Sequence, residues 1–233
     1  MTPEPPEPDA TGPDPDPEAR GVRLVRVLLV LTVVSGLIDA VSFLGLRHIF
    51  TANMTGNVLV IGFAAAGVPG FSVPHSVTSL GCFLAGAVAG GRVIHAVGSH
   101  RLWARTTLTV ESALLAAAAV VAFAAPDEAS GTVYSVIALT AFALGMRTAT
   151  VRKLGVADLP TTVLTMTLTG LASESHAGGG HGTRFRRRAA AVAALFAGAL
   201  LGAWLVIHHG LGPPLLLAAL LSGALALTAS GRP

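Results

Sequence analysis

Apolar residues run along this chain in blocks separated by short polar stretches, and the block lengths predict helices. Six blocks, 25–46, 74–96, 106–125, 130–150, 188–208 and 211–230, approach or exceed the ~20 residues that cross a hydrocarbon core. Two others, 58–68 and 163–171, are about half that length, roughly 16 Å and 13 Å at the helical rise. The strict alternation of a membrane β-barrel is absent. The pattern predicts an all-α polytopic membrane protein, with 23–233 as one membrane domain. Residues 1–22 are Pro-rich and acidic with almost nothing apolar, the composition of a disordered tail. That tail is not a signal peptide, so the first helix is expected to stay in the mature protein.

Composition agrees with the pattern. The chain has 233 residues, 52% hydrophobic and 12% charged, with a mean hydropathy of +0.71. Soluble domains carry about 25% charged residues. Ala and Gly are abundant, which lets helices approach closely inside lipid.

Charge decides how the blocks cross. If all eight spanned, eight Lys/Arg would fall on the side of the N-terminus and seven on the other. If 58–68 and 163–171 return to the side they came from, only Arg47 lies outside and the other fourteen lie inside. The positive-inside rule favours the second arrangement. Its consequence is six transmembrane helices plus two re-entrant half-helices, with both termini cytoplasmic. Three crossings per half give two inverted repeats, 25–125 and 130–230, related by a pseudo-two-fold axis in the membrane plane. Gly36-Leu37-Ile38-Asp39-Ala40 parallels Gly145-Met146-Arg147-Thr148-Ala149, and Met54-Thr55-Gly56-Asn57 parallels Leu164-Thr165-Met166-Thr167. Small inverted-repeat proteins commonly pair, so a homodimer is expected.

Polar groups at bilayer depth are costly and therefore mark function. Asp39, Asn53, Thr55, Gly56 and Asn57 lie in or beside the first break; Thr161, Thr162, Thr165 and Thr167 lie in the second. Paired breaks in two halves point to a solute site. Asp39 reads as a proton or cation coupling group, or as a hydrogen-bond acceptor for the neighbouring half-helix. Asn53, Thr55 and Asn57 cap a half-helix start, and Gly56 permits close backbone approach. Arg147 is expected to snorkel to the interface. Glu111 is expected to pair with Arg105 or Arg101 there, in the opposite half of the bilayer from Asp39.

Other chemistries find little support. The basic residues flank apolar blocks as topology requires, so nucleic-acid binding is not expected. Lone Cys82 and scattered His give no metal spacing, and His208-His209 is placed at a helix end. The Gly-rich loop before Arg184 lacks the phosphate-binding Lys-Ser/Thr pattern. It reads as a flexible cytoplasmic linker whose basic end meets anionic lipid. An enzyme would need a nucleophile with its base, or paired carboxylates at one depth. No cofactor or catalytic group is expected.

The string 36–45, Gly-Leu-Ile-Asp-Ala-Val-Ser-Phe-Leu-Gly, is followed at 50–57 by Phe-Thr-Ala-Asn-Met-Thr-Gly-Asn. With Ala143-Leu-Gly-Met146, Val151-Arg-Lys-Leu-Gly155 and Leu159-Pro-Thr-Thr-Val163, it resembles the YoaK family of bacterial inner-membrane proteins over 25–230. The resemblance implies membrane location and leaves the activity open, since the family is of unknown function. Members typically carry Gln-Asn where this chain has Arg147-Thr148, and Thr-Gly-Thr where it has Thr165-Met166-Thr167. The combined reading is a small-solute or ion transporter or permease of the inner membrane, with a passive channel or a membrane-embedded enzyme as alternatives.

Overall fold

A computed structural model describes residues 17–97, 100–124, 130–153, 164–175 and 185–228, and the regular structure among them is all helical. The helices are α1 (Pro17–Gly45), α2 (Met54–Ala65), α3 (Val73–Val97), α4 (His100–Ala124), α5 (Ser130–Lys153), α6 (Leu164–Ser173), α7 (Phe185–His209) and α8 (Gly212–Thr228). Residues 1–16 of the expected tail, most of the Gly-rich loop, and Thr161 and Thr162 lie outside the described residues.

Five helices, α1, α3, α4, α5 and α7, are long and apolar enough to cross a bilayer. The block expected over 211–230 closes as the 17-residue α8, about 25 Å long at the helical rise. Its Pro213 and Pro214 sit in the first turn, where a missing N–H removes no helical bond. The half-length blocks become the 12-residue α2 and the 10-residue α6. α2 starts at Met54, four residues before the apolar block, because Asn53 caps it and draws the polar break into its first turn.

The long helices alternate in direction. α1, α4 and α7 start at one end of the bundle, and α3, α5 and α8 return to it. Leu28, Leu108, Val151, Ala191 and Leu225 share one apolar cluster at that end, where the Trp103 indole also donates to the Gly90 carbonyl at 3.1 Å. The exposed Arg26, Arg92, Arg105, Arg152 and Lys153 lie at this same end. A second layer holds Val34, Ile38, Leu115, Leu144 and Ala218. A third, at the far end, holds Val41, Ala118, Ile137 and Leu215.

Close packing is made by glycine. α1 lies along α7, α3 along α5, and α4 along α8, while α2 rests on α3 and α6 on α7. A Cβ at Gly36 would strike the Leu195 carbonyl, and one at Gly198 the Val33 carbonyl. On the other pair, a Cβ at Gly145 would strike the Phe83 carbonyl, and one at Gly86 the Phe142 carbonyl. Each struck carbonyl belongs to the residue three before the glycine facing it. Such backbone-to-backbone approach is how helices associate where lipid removes the hydrophobic drive.

Candidate functional site

The segment between α1 and α2, residues 46–53, is non-helical, and backbone inside a bilayer must find partners within the protein. Asn57 supplies them. Its Oδ1 accepts from the Phe50 N–H at 2.8 Å and its Nδ2 donates to the Phe50 carbonyl. Ser79 of α3 donates to the same carbonyl at 2.6 Å. Asn53 accepts from the Gly56 N–H at 3.3 Å as the N-cap of α2. Gly56 leaves room for the Phe50 ring, which a Cβ would meet at 2.6 Å. Asn53 and Thr55 are exposed, and Asn57 is fully buried. Asn57 is thus a clamp on an irregular turn, and the polar cluster of the first break is largely spent on holding that turn. Arg47 and His48 within it adopt φ near +60°, a strained conformation costing about 1–2 kcal/mol each.

In the second break Thr165 is exposed and Thr167 buried. Among the described residues, the two breaks do not come together. α2 packs on α3 and α6 on α7, at separate places on the bundle.

A different set of side chains meets in the interior. Arg147 of α5 donates to Glu111 of α4 at 2.9 Å and to Ser35 of α1 at 2.6 Å. Ser222 of α8 donates to the same Glu111 oxygen at 3.0 Å. Arg147 is 1% exposed and Glu111 0%. Asp39, one turn beyond Ser35 on α1, accepts the Ala52 N–H and lies within electrostatic reach of Arg147. Thr148 lies beside Arg147 in sequence. The Asp39 bond to the segment before α2 is the acceptor role that the sequence allowed for it.

Two expectations are corrected here. Arg147 does not snorkel outward, and Glu111 pairs with it rather than with Arg105; the Arg101 side chain lies outside the described residues. Asp39 and Glu111, expected in opposite halves of the bilayer, both lie in the field of Arg147. The reason is the α4–α5 hairpin. Its antiparallel register sets Thr107 against Thr150, their hydroxyls 3.1 Å apart, and one turn further sets Glu111 against Arg147. Both residues stand eighteen positions from residue 129, a spacing visible in the sequence once α4 and α5 are read as neighbours.

Both charges are removed from water, so each relies on the other, and deleting either leaves an uncompensated buried charge. The trio is also incompletely satisfied. Asp39 Oδ1, Glu111 Oε2, Arg147 Nε and Thr148 Oγ1 are buried without a protein partner. Polar atoms in that condition at bilayer depth are sites for a proton, a water or a ligand.

On the basic-end side of this trio lies a cavity of about 150 Å³ among α1, α4, α5 and α8. Leu28, Leu31, Thr107, Leu108, Thr150 and Val151 line it, and Arg147 closes its inner end. Its walls are almost wholly apolar. On the other side of the trio, Ile38, Val41, Ile137 and Ala218 are fully buried and leave the far end packed shut.

A relative from Bacillus subtilis (strain 168), "UPF0700 transmembrane protein YoaK", is 32% identical over 148 residues, covering 62% of this chain and 64% of that protein. The chain therefore spans somewhat under two thirds of the relative it matches. No solved structure matches. The family described as "Protein of unknown function (DUF1275)" matches residues 27–228, which takes in α2 to α8, most of α1, and Asp39, Glu111 and Arg147. The chain is a multi-pass membrane protein and belongs to this family, the one that its Gly-Leu-Ile-Asp and Thr-Ala-Asn-Met-Thr-Gly-Asn strings resemble.

Proposed function

We propose that this protein is a small-solute or ion transporter of the bacterial inner membrane. The observation that carries the reading is the Asp39–Arg147–Glu111 trio at the junction of α1, α4, α5 and α8, its Arg147 and Glu111 fully buried, with a cavity on one side and packed side chains on the other. A polar centre with empty space on one side and close packing on the other is the asymmetry that alternating access needs at the bilayer midplane. A passive channel needs a path open at both ends, and the packed layer of Val41, Ile137 and Leu215 argues against one.

In this reading α1, α3, α4, α5, α7 and α8 cross, while α2 and α6 re-enter. Helix direction supports it: α1 ends and α3 begins at the far end, and α5 ends and α7 begins at the basic end, so neither short helix changes sides. The basic end is cytoplasmic by the positive-inside rule, with both termini there. The reciprocal glycine crossings support two inverted repeats, since Gly36 against Gly198 has its counterpart in Gly145 against Gly86. The working unit is a homodimer, and no residue has a catalytic role.

The test is flux in proteoliposomes carrying purified protein and an internal pH dye, challenged with a panel of amino acids, amines, organic acids and salts. The expected outcome is at least one solute that moves faster than in empty vesicles, with uptake driven by a pH gradient lost in Asp39→Asn. Flux that persists in Asp39→Asn and ignores the gradient identifies a channel. A panel in which nothing moves overturns transport altogether.

A further inference from the structure

We propose that the polar centre binds a single monovalent cation, a proton or an alkali ion, at the carboxylates of Asp39 and Glu111, and that Arg147 is the resident cation it competes with. This rests on the transport reading for its purpose, although the site itself is argued from charge and geometry.

Among the described residues, the charged groups that share Arg147 of α5 are Asp39 from α1 and Glu111 from α4; α8 contributes Ser222, which carries no charge. Two carboxylates against one guanidinium leave one negative charge in excess. A net charge cannot be held in a low-dielectric interior without a counter-charge, so the centre takes up one more positive charge.

Geometry says where it goes. Each carboxylate uses one side and leaves the other open. Glu111 holds Arg147 and Ser222 on Oε1 while its fully buried Oε2 has no partner. Asp39 accepts the Ala52 N–H while its Oδ1 has no partner. These are oxygen donors, with no sulfur or imidazole in the set, and such donors suit a proton or a hard monovalent ion.

Arg147 makes the uptake exchangeable. Its guanidinium contacts Glu111, its Nε has no partner, and its field reaches Asp39. A cation that neutralises one carboxylate releases Arg147 to the other. Asp39 is fixed to the segment before α2, whereas Glu111 is fixed to α8, so a change of partner moves force between those two parts of the bundle. That couples cation occupancy to shape without any new group.

Charge arithmetic provides the test. The wild-type centre and the double variant Glu111→Gln/Arg147→Gln each carry one excess negative charge. The single variants Asp39→Asn and Glu111→Gln carry none. Purified protein in detergent is melted in NaCl, KCl or N-methylglucamine chloride at equal ionic strength, and proton uptake is titrated separately with a pH dye. Wild type and the double variant are expected to respond to the cation, and both single variants to lose that response. A sodium- or potassium-dependent rise in melting temperature identifies an alkali ion. A proton uptake that the single variants lack, with no salt effect, identifies a proton. The proposal is overturned if Asp39→Asn and Glu111→Gln respond as wild type does, or if the double variant loses the response. Should Asp39→Asn fail to fold, Glu111→Gln carries the same zero charge and decides the matter. Cation binding that persists while vesicle flux is absent would sink the transport reading and leave this site standing.

Discussion

At the residue scale the molecule spends its polar side chains on two distinct tasks. Asn57 and Asn53 hold irregular backbone, and Glu111, Arg147 and Asp39 hold charge. These tasks predict different responses to substitution. Asn57→Ala removes the partner of the Phe50 N–H, while Ser79 still serves the Phe50 carbonyl, and one unsatisfied buried backbone group costs about 1–3 kcal/mol. The expected result is a lower melting temperature in detergent with the cation response retained. Arg147→Gln leaves two carboxylates uncompensated, and breaking a buried pair costs roughly 3–5 kcal/mol. Glu111→Gln/Arg147→Gln removes the pair together, so the double variant is expected to recover most of that loss. A double-mutant cycle measures this, and additive single effects would show that the pair has no coupling. The Asn57 role is readable from its place in a polar break. The Glu111–Arg147 pair is not, because each residue alone sits near the end of its apolar block, where an interfacial position explains it as well.

Element length and type were legible because lipid imposes them. A block of about 20 apolar residues has few alternatives to a spanning helix, and α1, α3, α4, α5 and α7 fall close to their expected bounds. What periodicity does not encode is which helix lies beside which. The pairing of α1 with α7 and α3 with α5 depends on single glycines among many: Gly36, Gly198, Gly86 and Gly145 face backbone, whereas Gly62, Gly81 and Gly91 face nothing within 4 Å. Substitution separates the two classes. Alanine at any of the first four forces two helices apart, an overpacking cost of about 1–3 kcal/mol. At Gly81 or Gly62 alanine is expected to be neutral or slightly stabilising, since glycine is the weaker helix former by about 1 kcal/mol. The proposed repeat adds a sharper requirement. Gly36→Ala and Gly145→Ala should lower the melting temperature by similar amounts, and so should Gly198→Ala and Gly86→Ala. Unequal members within a pair would count against symmetry-related crossings.

On the scale of the whole molecule, the two halves share a packing scheme but differ around the polar centre. Thr150 stands five residues after Gly145, as Val41 stands five after Gly36; Leu28 stands eight before Gly36, as Ile137 stands eight before Gly145. All four are buried, but Thr150 and Leu28 border the cavity, whereas Val41 and Ile137 pack against neighbours at the far end. Under the proposed repeat these positions are equivalent, and equivalent positions in different surroundings are what one state of an alternating pair looks like, the other state being reached when the repeats exchange roles. This predicts an asymmetry of access. With Cys82 replaced by Ala, Thr150→Cys is expected to react with a small methanethiosulfonate applied from the basic end, and Val41→Cys to resist it from either side. Conditions that drive turnover should raise labelling of Val41→Cys from the far end and protect Thr150→Cys. The reciprocity carries the argument, because a static cavity labels at Thr150→Cys too and leaves Val41→Cys closed throughout.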